Sequence, residues 1–152
     1  MKINILYRHY AIEGTDGKGR PQWFQYEDCL KNLLKTINDY TDVTIHIIMD
    51  GDSSTNFVNN YREHVTIHTI EGGSDQASFL EAHKYAKKLA EDCEDTDLFY
   101  FLENDYLHVN GWDEKVRELF STYENLNYVS LYDHNDKYLS LIHISEPTRP
   151  RL

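Results

Sequence analysis

The sequence predicts an α/β domain with a mostly parallel sheet flanked by helices. Short apolar runs rich in β-branched residues, typical of buried strands, alternate along the chain with longer segments whose apolar residues recur at helical spacing. Strands that alternate with helices form a parallel sheet joined by right-handed crossovers. With 152 residues, 40% of them hydrophobic, the chain is long enough for one domain with its own core.

Charge and cysteine content exclude several classes of protein. The chain carries 26 acidic and 15 basic residues, a formal net charge of −11. A nucleic-acid surface needs an excess of Lys and Arg, so we expect no nucleic-acid partner. Cys29 and Cys93 lack the spacing of a zinc site, which favours a reduced, cytoplasmic protein. No signal peptide is recognisable and no apolar stretch approaches the roughly 20 residues of a transmembrane helix, so any membrane contact is expected to be peripheral.

The first third of the chain predicts two strands and one helix. Residues 2–8 (KINILYR) form the first strand, and residues 9–22, with three glycines and a proline, form a long loop of the kind that is often functional. A helix is predicted from about Trp23 to Asn38, and residues 43–49 (VTIHIIM) form the second strand. The apolar stripe of that helix consists of Leu30, Leu33, Leu34 and Ile37.

The rest of the chain predicts three strands and two helices. Residues 65–70 and 98–102 form the third and fourth strands, the latter wholly apolar like a central strand covered on both faces. Residues 128–132 (YVSLY) form a fifth strand. The first helix is capped by Ser74 or Asp75 and runs to about Glu91. Its buried face consists of Phe79, Ala82, Ala86 and Leu89. The second helix runs from Trp112 to Tyr123.

The last fourteen residues differ in composition from the rest. From Leu139 the sequence reads LSLIHISEPTRPRL, and two of the three prolines of the chain fall in its last six residues. This segment resembles the conceptual translation of sequencing-adapter read-through at the end of a metagenomic open reading frame. We therefore expect a domain over residues 1–138, interrupted near Tyr138, and a non-native tail over residues 139–152.

Polar residues follow the predicted strands at their carboxyl ends, which is where open α/β sheets bind ligands. These polar segments are Arg8–Tyr10, Asp50–Asp52, Gly72–Gln76 and Glu103–Asp105. Alternation along a strand is expected to aim Glu103 and Asp105 toward the same side. Mg²⁺ or Mn²⁺ takes one or two carboxylates together with water and phosphate oxygens, so the pair predicts a divalent-metal site. A plain acidic surface turn is the alternative.

Four other charged residues are weaker candidates. Asp50 and Asp52 could accept from a nucleobase imide or from sugar hydroxyls, or could form a turn. Lys18 and Arg20 could contact phosphate, or could be solvated loop charges. Their loop lacks the spacing of a P-loop, and no GxSxG sequence occurs, which leaves covalent hydrolase chemistry without support.

Histidines and a later acidic cluster complete the candidates. His46 and His68 are expected on neighbouring strands, where packing and a hydrogen bond account for them without a functional role. Asp133, His134 and Asp136 could add a metal ligand, although a polar turn is favoured there.

The strand LFYFLENDY, the upstream VTIHIIMDGD and the segment GGSDQASFLEAHKYA together resemble the nucleotide-binding half of a GT-A glycosyltransferase, most like the family 2 type. The resemblance extends from Met1 to about Tyr138. It implies a Rossmann-like GT-A fold, a nucleotide-diphosphate sugar as donor, a carbohydrate or other hydroxyl as acceptor, and Mn²⁺ or Mg²⁺ as cofactor.

The resemblance also implies which residues form the site. Those implied to contact the nucleotide are Tyr7, Arg8, His9, Asp50, Asp52, Asp75 and Glu103. The family's DxD motif maps onto Glu103, Asn104 and Asp105, where Asp105 would bind the metal and Glu103 would contact the ribose or the metal shell. Glu in place of the first Asp lengthens that arm, so ligation by Glu103 is less direct. The catalytic base of the family lies in the acceptor half, so none is assigned here.

Two other functions fit the same residues. A nucleotidyltransferase on a similar scaffold would catalyse attack on an α-phosphate. Such an enzyme usually has a basic, glycine-rich loop beside the first strand. A noncatalytic α/β binding module would use its acidic strand ends as turns alone.

Overall fold

The computed structural model describes residues 1–11 and 20–131. In this part of the chain, strands and helices alternate as predicted. The elements are β1 (Ile3–Tyr10), α1 (Tyr26–Thr36), β2 (Val43–Asp50), β3 (Thr66–Ile70), α2 (Asp75–Ala90), β4 (Leu98–Glu103) and α3 (Trp112–Thr122), with short 3₁₀ helices at Tyr40–Asp42 and Phe57–Tyr61. The chain divides into two compact units, Met1–Glu118, which contains the sheet, and Leu119–Leu152, which is described as far as Leu131.

The four described strands form one parallel sheet in the order β3-β2-β1-β4. β1 continues to Tyr10, two residues beyond its predicted end, and Tyr10 pairs in register with Asp50 of β2. On the other side of β1, Arg8 is in register with Glu103, the last residue of β4. The carboxyl ends therefore meet at one edge, and the predicted α/β fold with a mostly parallel sheet is confirmed.

Helices cover both faces of the sheet. Leu6 of β1 packs with Ala82 and Ala86 of α2. The next residue, Tyr7, points to the opposite face, where burial, with a contribution from Cys29 of α1, raises the pKa of its phenol. This alternation separates the residues of each strand into one set facing α1 and another facing α2.

Helix α1 confirms the predicted stripe. All four predicted positions are buried, namely Leu30, Leu33 and Leu34 in the helix and Ile37 directly after its last residue. The helix begins at Tyr26 rather than at Trp23, because the preceding residues form a turn in which the Phe24 N–H donates to the Pro21 carbonyl at 2.9 Å. Trp23 is exposed in that turn.

Helix α2 begins where the sequence predicts, but one of its expected core residues lies at the surface. The Ser74 hydroxyl accepts from the Ala77 N–H at 3.2 Å and caps the helix, which begins at Asp75. Phe79 is 44% exposed, and its ring centroid lies 5.3 Å from the guanidinium carbon of Arg8. Periodicity identifies the face of a helix, but it does not tell how far the sheet extends beneath that face.

The predictions for the last two strands need correction. Of the predicted fifth strand, Tyr128–Leu131 is described, and none of these residues is in a strand. The fourth strand is present, but β4 lies at the edge of the described sheet, and Leu102 alone among its residues is buried. An apolar run indicates that a segment can be buried. The position of a strand in a sheet depends instead on the neighbouring strands that pair with it.

Several predictions fall outside the described residues. They concern Lys18, Tyr132, the cluster of Asp133, His134 and Asp136, and the tail over 139–152. Within the described ranges, no helix has both the length and the apolar character needed to cross a bilayer. Cys29 and Cys93 are both free thiols.

Candidate functional site

Arg8 joins two other predicted site residues at the carboxyl edge of the sheet. Its Nη1 donates to the Asp75 carboxylate at 2.9 Å and to the Asp75 carbonyl at 3.1 Å, and its Nη2 donates to Glu103 Oε1 at 2.7 Å. The Arg8 side chain is 9% exposed, so its charge requires these partners. Arg8 therefore connects the start of α2 to the end of β4, and the Glu103 carboxylate forms an ion pair with it.

A second set of residues holds the turn after β4 from the face that carries α1. Asn104 Nδ2 donates to His9 Nδ1 at 2.8 Å, and the Tyr7 hydroxyl donates to the Asn104 carbonyl at 3.4 Å. The other ring nitrogen of His9 donates to Asn56 Oδ1 at 3.2 Å. Sequence reasoning missed Asn56, which belongs to no recognisable motif, and the part played by Asn104, because the middle position of the DxD motif is not restricted to one residue type. Tyr7 and His9, predicted to line a nucleotide pocket, here position the turn that contains Asp105.

Burial keeps His9 neutral. It lowers the pKa of the imidazole from 6.5 to about 4, although the hydrogen bond that the ring donates to Asn56 opposes this shift. A neutral ring is what the network requires, because Nδ1 must accept from Asn104 while Nε2 donates.

The buried histidines predict a loss of stability in mild acid. Burial lowers the pKa of His9, His46 and His108 to about 4 each. Between pH 6.5 and 4 the unfolded chain binds protons that the folded chain does not. The free energy of unfolding should therefore fall as the pH falls through this window, by up to about 1.4 kcal/mol per pH unit for each histidine. Urea unfolding at pH 7, 6 and 5 measures this slope. The variant His9→Asn should show a shallower dependence of the free energy of unfolding on pH. A slope equal to that of the wild type would contradict the lowered pKa of His9.

His46 and His68 lie on adjacent strands, as the sequence predicts. His46 Nδ1 and His68 Nε2 are 3.3 Å apart, and the Tyr85 hydroxyl of α2 lies 3.4 Å from the same His46 nitrogen. Burial, followed by the proximity of His68, lowers the pKa of His46, and burial lowers that of His68. The three side chains form a packed, uncharged contact between α2 and the sheet.

Asp50 binds the loop between β3 and α2. Its carboxylate accepts from the Gly72 N–H at 2.8 Å and from the Gly73 N–H at 3.0 and 3.1 Å, and the residue is 4% exposed. A Cβ placed on Gly72 would lie 2.8 Å from Asp50 Oδ2, which explains the glycine. The nucleobase contact implied for Asp50 stays a prediction, whereas the structure shows that this carboxylate organises the loop.

Asp52 forms a local turn. Its carboxylate accepts from the Ser54 N–H at 2.8 Å and from the Ser54 hydroxyl at 2.9 Å. These bonds lower the pKa of the exposed carboxyl. Asp52 thus forms a turn, and the nucleotide contact implied for it stays a prediction.

Asp105 pairs with Arg20 on the face that carries α1. Its Oδ2 accepts from Arg20 Nη2, and the guanidinium lies over the rings of Phe24 and Tyr26, 4.6 and 5.7 Å from their centroids. After burial, the charge of Asp105 is the next contribution that raises the pKa of the Cys29 thiol, to about 11. Asp105 therefore lies close to α1 and to the segment that precedes it.

The two carboxylates of the predicted metal motif do not point to the same side. Glu103 is the last residue of β4 and contacts Arg8, whose guanidinium lies against α2. Asp105 lies in the turn beyond the strand, where alternation no longer applies, and it contacts Arg20. Across residues 1–11 and 20–131, no group of three or more His, Cys, Asp or Glu side chains is placed to hold a metal ion. The metal ligation implied for Asp105 stays a prediction.

Comparison with solved structures identifies the same architecture in a glycosyltransferase. The crystal structure of S. aureus TarS 1-349, a GT-A-like glycosyltransferase, matches with a TM-score of 0.57 and 13% sequence identity. The chain has a glycosyltransferase-like fold. The match covers 88% of this chain and 39% of the TarS chain. No protein-family model and no curated protein sequence matches the chain.

Proposed function

We propose that this chain is the donor-binding part of a glycosyltransferase that transfers a sugar from a nucleotide-diphosphate sugar to an acceptor hydroxyl with Mn²⁺ or Mg²⁺. The observation that carries the proposal is the gathering of Arg8, Asp75, Glu103 and Asp105 at the carboxyl edge of a parallel sheet whose fold is shared with TarS. That edge is where α/β sheets bind nucleotides. The aligned segment is 39% of the TarS chain, and the acceptor and the catalytic base are left unassigned.

Asp105 is the residue that fits a divalent ion. Mg²⁺ and Mn²⁺ are often held by one or two carboxylates, with substrate phosphates and water as the remaining ligands. Asp105 offers one carboxylate, and its side chain is 12% exposed. An ion bound there with the diphosphate would supply positive charge to the departing group. One protein carboxylate is a weak site by itself, so the ion and the diphosphate should bind together.

Glu103 has a different part in the proposal. Arg8 holds one carboxylate oxygen, while the side chain is 42% exposed and its second oxygen can accept from a ribose hydroxyl. Because Arg8 also binds Asp75, the glutamate is kept in a fixed position relative to α2. Glu103 would thus orient the nucleotide, and Asp105 would bind the metal ion that accompanies the diphosphate.

Nucleotide binding tests this proposal directly. Uridine and guanosine diphosphates titrated into the chain should bind at least about 10-fold more tightly with Mn²⁺ than with EDTA, because the ion bridges Asp105 and the diphosphate. Isothermal titration calorimetry measures both affinities. The matching nucleoside monophosphate is the control and should show little dependence on the metal. Equal affinity with and without Mn²⁺ would contradict the metal assignment, and binding of neither nucleotide nor metal would favour a noncatalytic binding module.

A further inference from the structure

We infer that His9 is a positioning residue that couples the loop after β2 to the turn after β4 at the carboxyl edge of the sheet. The inference rests on the proposed function and deepens it, because it concerns how the predicted nucleotide contacts after β2 are held relative to Asp105 after β4. Two asparagines carry the connection, Asn56 in the loop and Asn104 in the turn. His9 would thus affect ligand binding through these amides and not through a contact of its own.

The strand order places His9 between the two segments. β1 lies between β2 and β4 in the sheet, so the loop after β2 and the turn after β4 are separated by two strand spacings, or about 10 Å. Hydrogen bonds between their backbones do not reach that far. The His9 ring reaches both segments, because Nε2 lies 3.2 Å from Asn56 Oδ1 and Nδ1 lies 2.8 Å from Asn104 Nδ2.

Packing holds the His9 ring in one orientation. The residue is 2% exposed, and the ring of Phe57 meets it edge-on with 4.9 Å between the centroids. Asn56 Oδ1 also accepts from the Val58 N–H at 3.2 Å, so the oxygen that binds His9 caps the 3₁₀ helix of the loop. A shift of this loop would therefore move the ring, and with it the Asn104 amide.

The two hydrogen bonds require different functions of the ring. The Asn104 amide nitrogen only donates, so His9 Nδ1 must accept. The Asn56 oxygen only accepts, so His9 Nε2 must donate. A neutral histidine supplies both functions at once, whereas a single amide of asparagine or glutamine reaches one of the two ring positions.

Consecutive residues of β1 hold the end of β4 from both faces of the sheet. Arg8 donates to Glu103 at 2.7 Å on the face that carries α2, and His9 accepts from Asn104 on the face that carries α1. The end of β4 is therefore ordered before any ligand binds. Such preorganisation lowers the entropic cost of binding, so a loss of the His9 contacts should weaken the binding of a ligand at this turn.

Two variants of His9 separate the two hydrogen bonds. The amide of His9→Asn can still accept from Asn104, and the amide of His9→Gln can still donate to Asn56. Uridine and guanosine diphosphates in saturating Mn²⁺ are titrated into both variants by calorimetry. The nucleotide that binds the wild type more tightly should bind about 10-fold more weakly to His9→Gln and about 3-fold more weakly to His9→Asn.

The loss in His9→Gln should depend on the metal ion. In EDTA it should shrink to less than about 3-fold, because the turn after β4 acts through the ion that Asp105 would bind. An equal loss in Mn²⁺ and in EDTA would mean that His9 contacts the nucleotide itself, and it would overturn the positioning role.

Asn56→Ala tests the coupling between the two segments. The measured quantity is the ratio of the nucleotide affinities in Mn²⁺ and in EDTA. This ratio should fall about 3-fold when Asn56→Ala is made in the wild type, because His9 loses its partner in the loop. In the His9→Gln background the connection to Asn104 is already broken, so the ratio should not fall further. Equal reductions in the two backgrounds would contradict the coupling.

His64→Gln is the matched control. His64 is exposed and precedes β3, at the opposite edge of the sheet, so both affinities should stay at the wild-type values. Thermal unfolding checks that each variant is folded. If His9→Gln is unfolded at the assay temperature, Asn104→Ala removes the same hydrogen bond and should give the same metal-dependent loss.

The wild type separates the failure of this inference from the failure of the proposed function. If the wild type binds nucleotide with Mn²⁺ and neither His9→Gln nor Asn104→Ala weakens that binding, the positioning role alone is overturned. If the wild type binds neither nucleotide nor Mn²⁺, the proposed function itself fails.

Discussion

Replacing Asp105 by asparagine should weaken the Mn²⁺-dependent binding of a nucleoside diphosphate by about 100-fold, equivalent to about 2.7 kcal/mol. The amide keeps the shape of the side chain but lacks the negative charge that a hard divalent cation requires. The chain should stay folded, because the turn is held through Asn104, which contacts Tyr7 and His9. Calorimetry with Mn²⁺ measures the binding, and thermal unfolding checks the fold.

Glu103→Gln is the matched control for this prediction. The glutamine oxygen can still accept from Arg8, which removes the charge while conserving the 2.7 Å contact. We expect this variant to lose less than about 10-fold in nucleotide affinity. The loss should be similar whether it is measured in Mn²⁺ or in EDTA. An equal, metal-dependent loss in both variants would show that the two carboxylates share one ion, in contradiction to their separate partners.

Replacing Asp50 by alanine should lower the free energy of unfolding by about 2–4 kcal/mol. The carboxylate is 4% exposed and accepts from the N–H groups of Gly72 and Gly73. Its removal leaves both donors without their partner and frees the loop that leads into α2. Urea unfolding at pH 7 measures the change.

Asp52→Ala is the comparison, because Asp52 follows on the same segment and its carboxylate caps an exposed turn at Ser54. Its loss should amount to about 1 kcal/mol or less. Similar losses in the two variants would mean that the Asp50 contacts do not hold the loop. Asp50→Asn then separates the two functions considered for Asp50, since its amide oxygen can still accept from the glycines but cannot replace a charged contact to a nucleobase.

Secondary structure could be predicted in most places because its signals are local. The stripe on α1 is visible in the spacing of apolar residues, and all four are buried. The cap of α2 is visible in Ser74, which accepts from the Ala77 N–H as expected. The error at Tyr128–Leu131 arose where an apolar run has the composition of a strand, since composition does not provide a partner to pair with.

The sequence predicted that Arg8, Glu103 and Asp105 follow strands at one edge of the sheet, but it did not show which partner each side chain contacts. Arg8 and Glu103 are 95 residues apart, and Asp50 and Gly72 are 22 apart. No spacing in the sequence connects them.

The sequence by itself determined the α/β class, the parallel orientation of the strands and the edge at which the polar residues gather, because these follow from periodicity and from the geometry of crossovers. The tertiary structure alone decided that Arg8 forms an ion pair with Glu103 and that Arg20 forms one with Asp105. It also decided that Asp50 accepts hydrogen bonds from the loop before α2. The physical reason is that ion pairs and buried hydrogen bonds form between side chains brought together by sheet register and by turns, and both are set by contacts between distant parts of the chain.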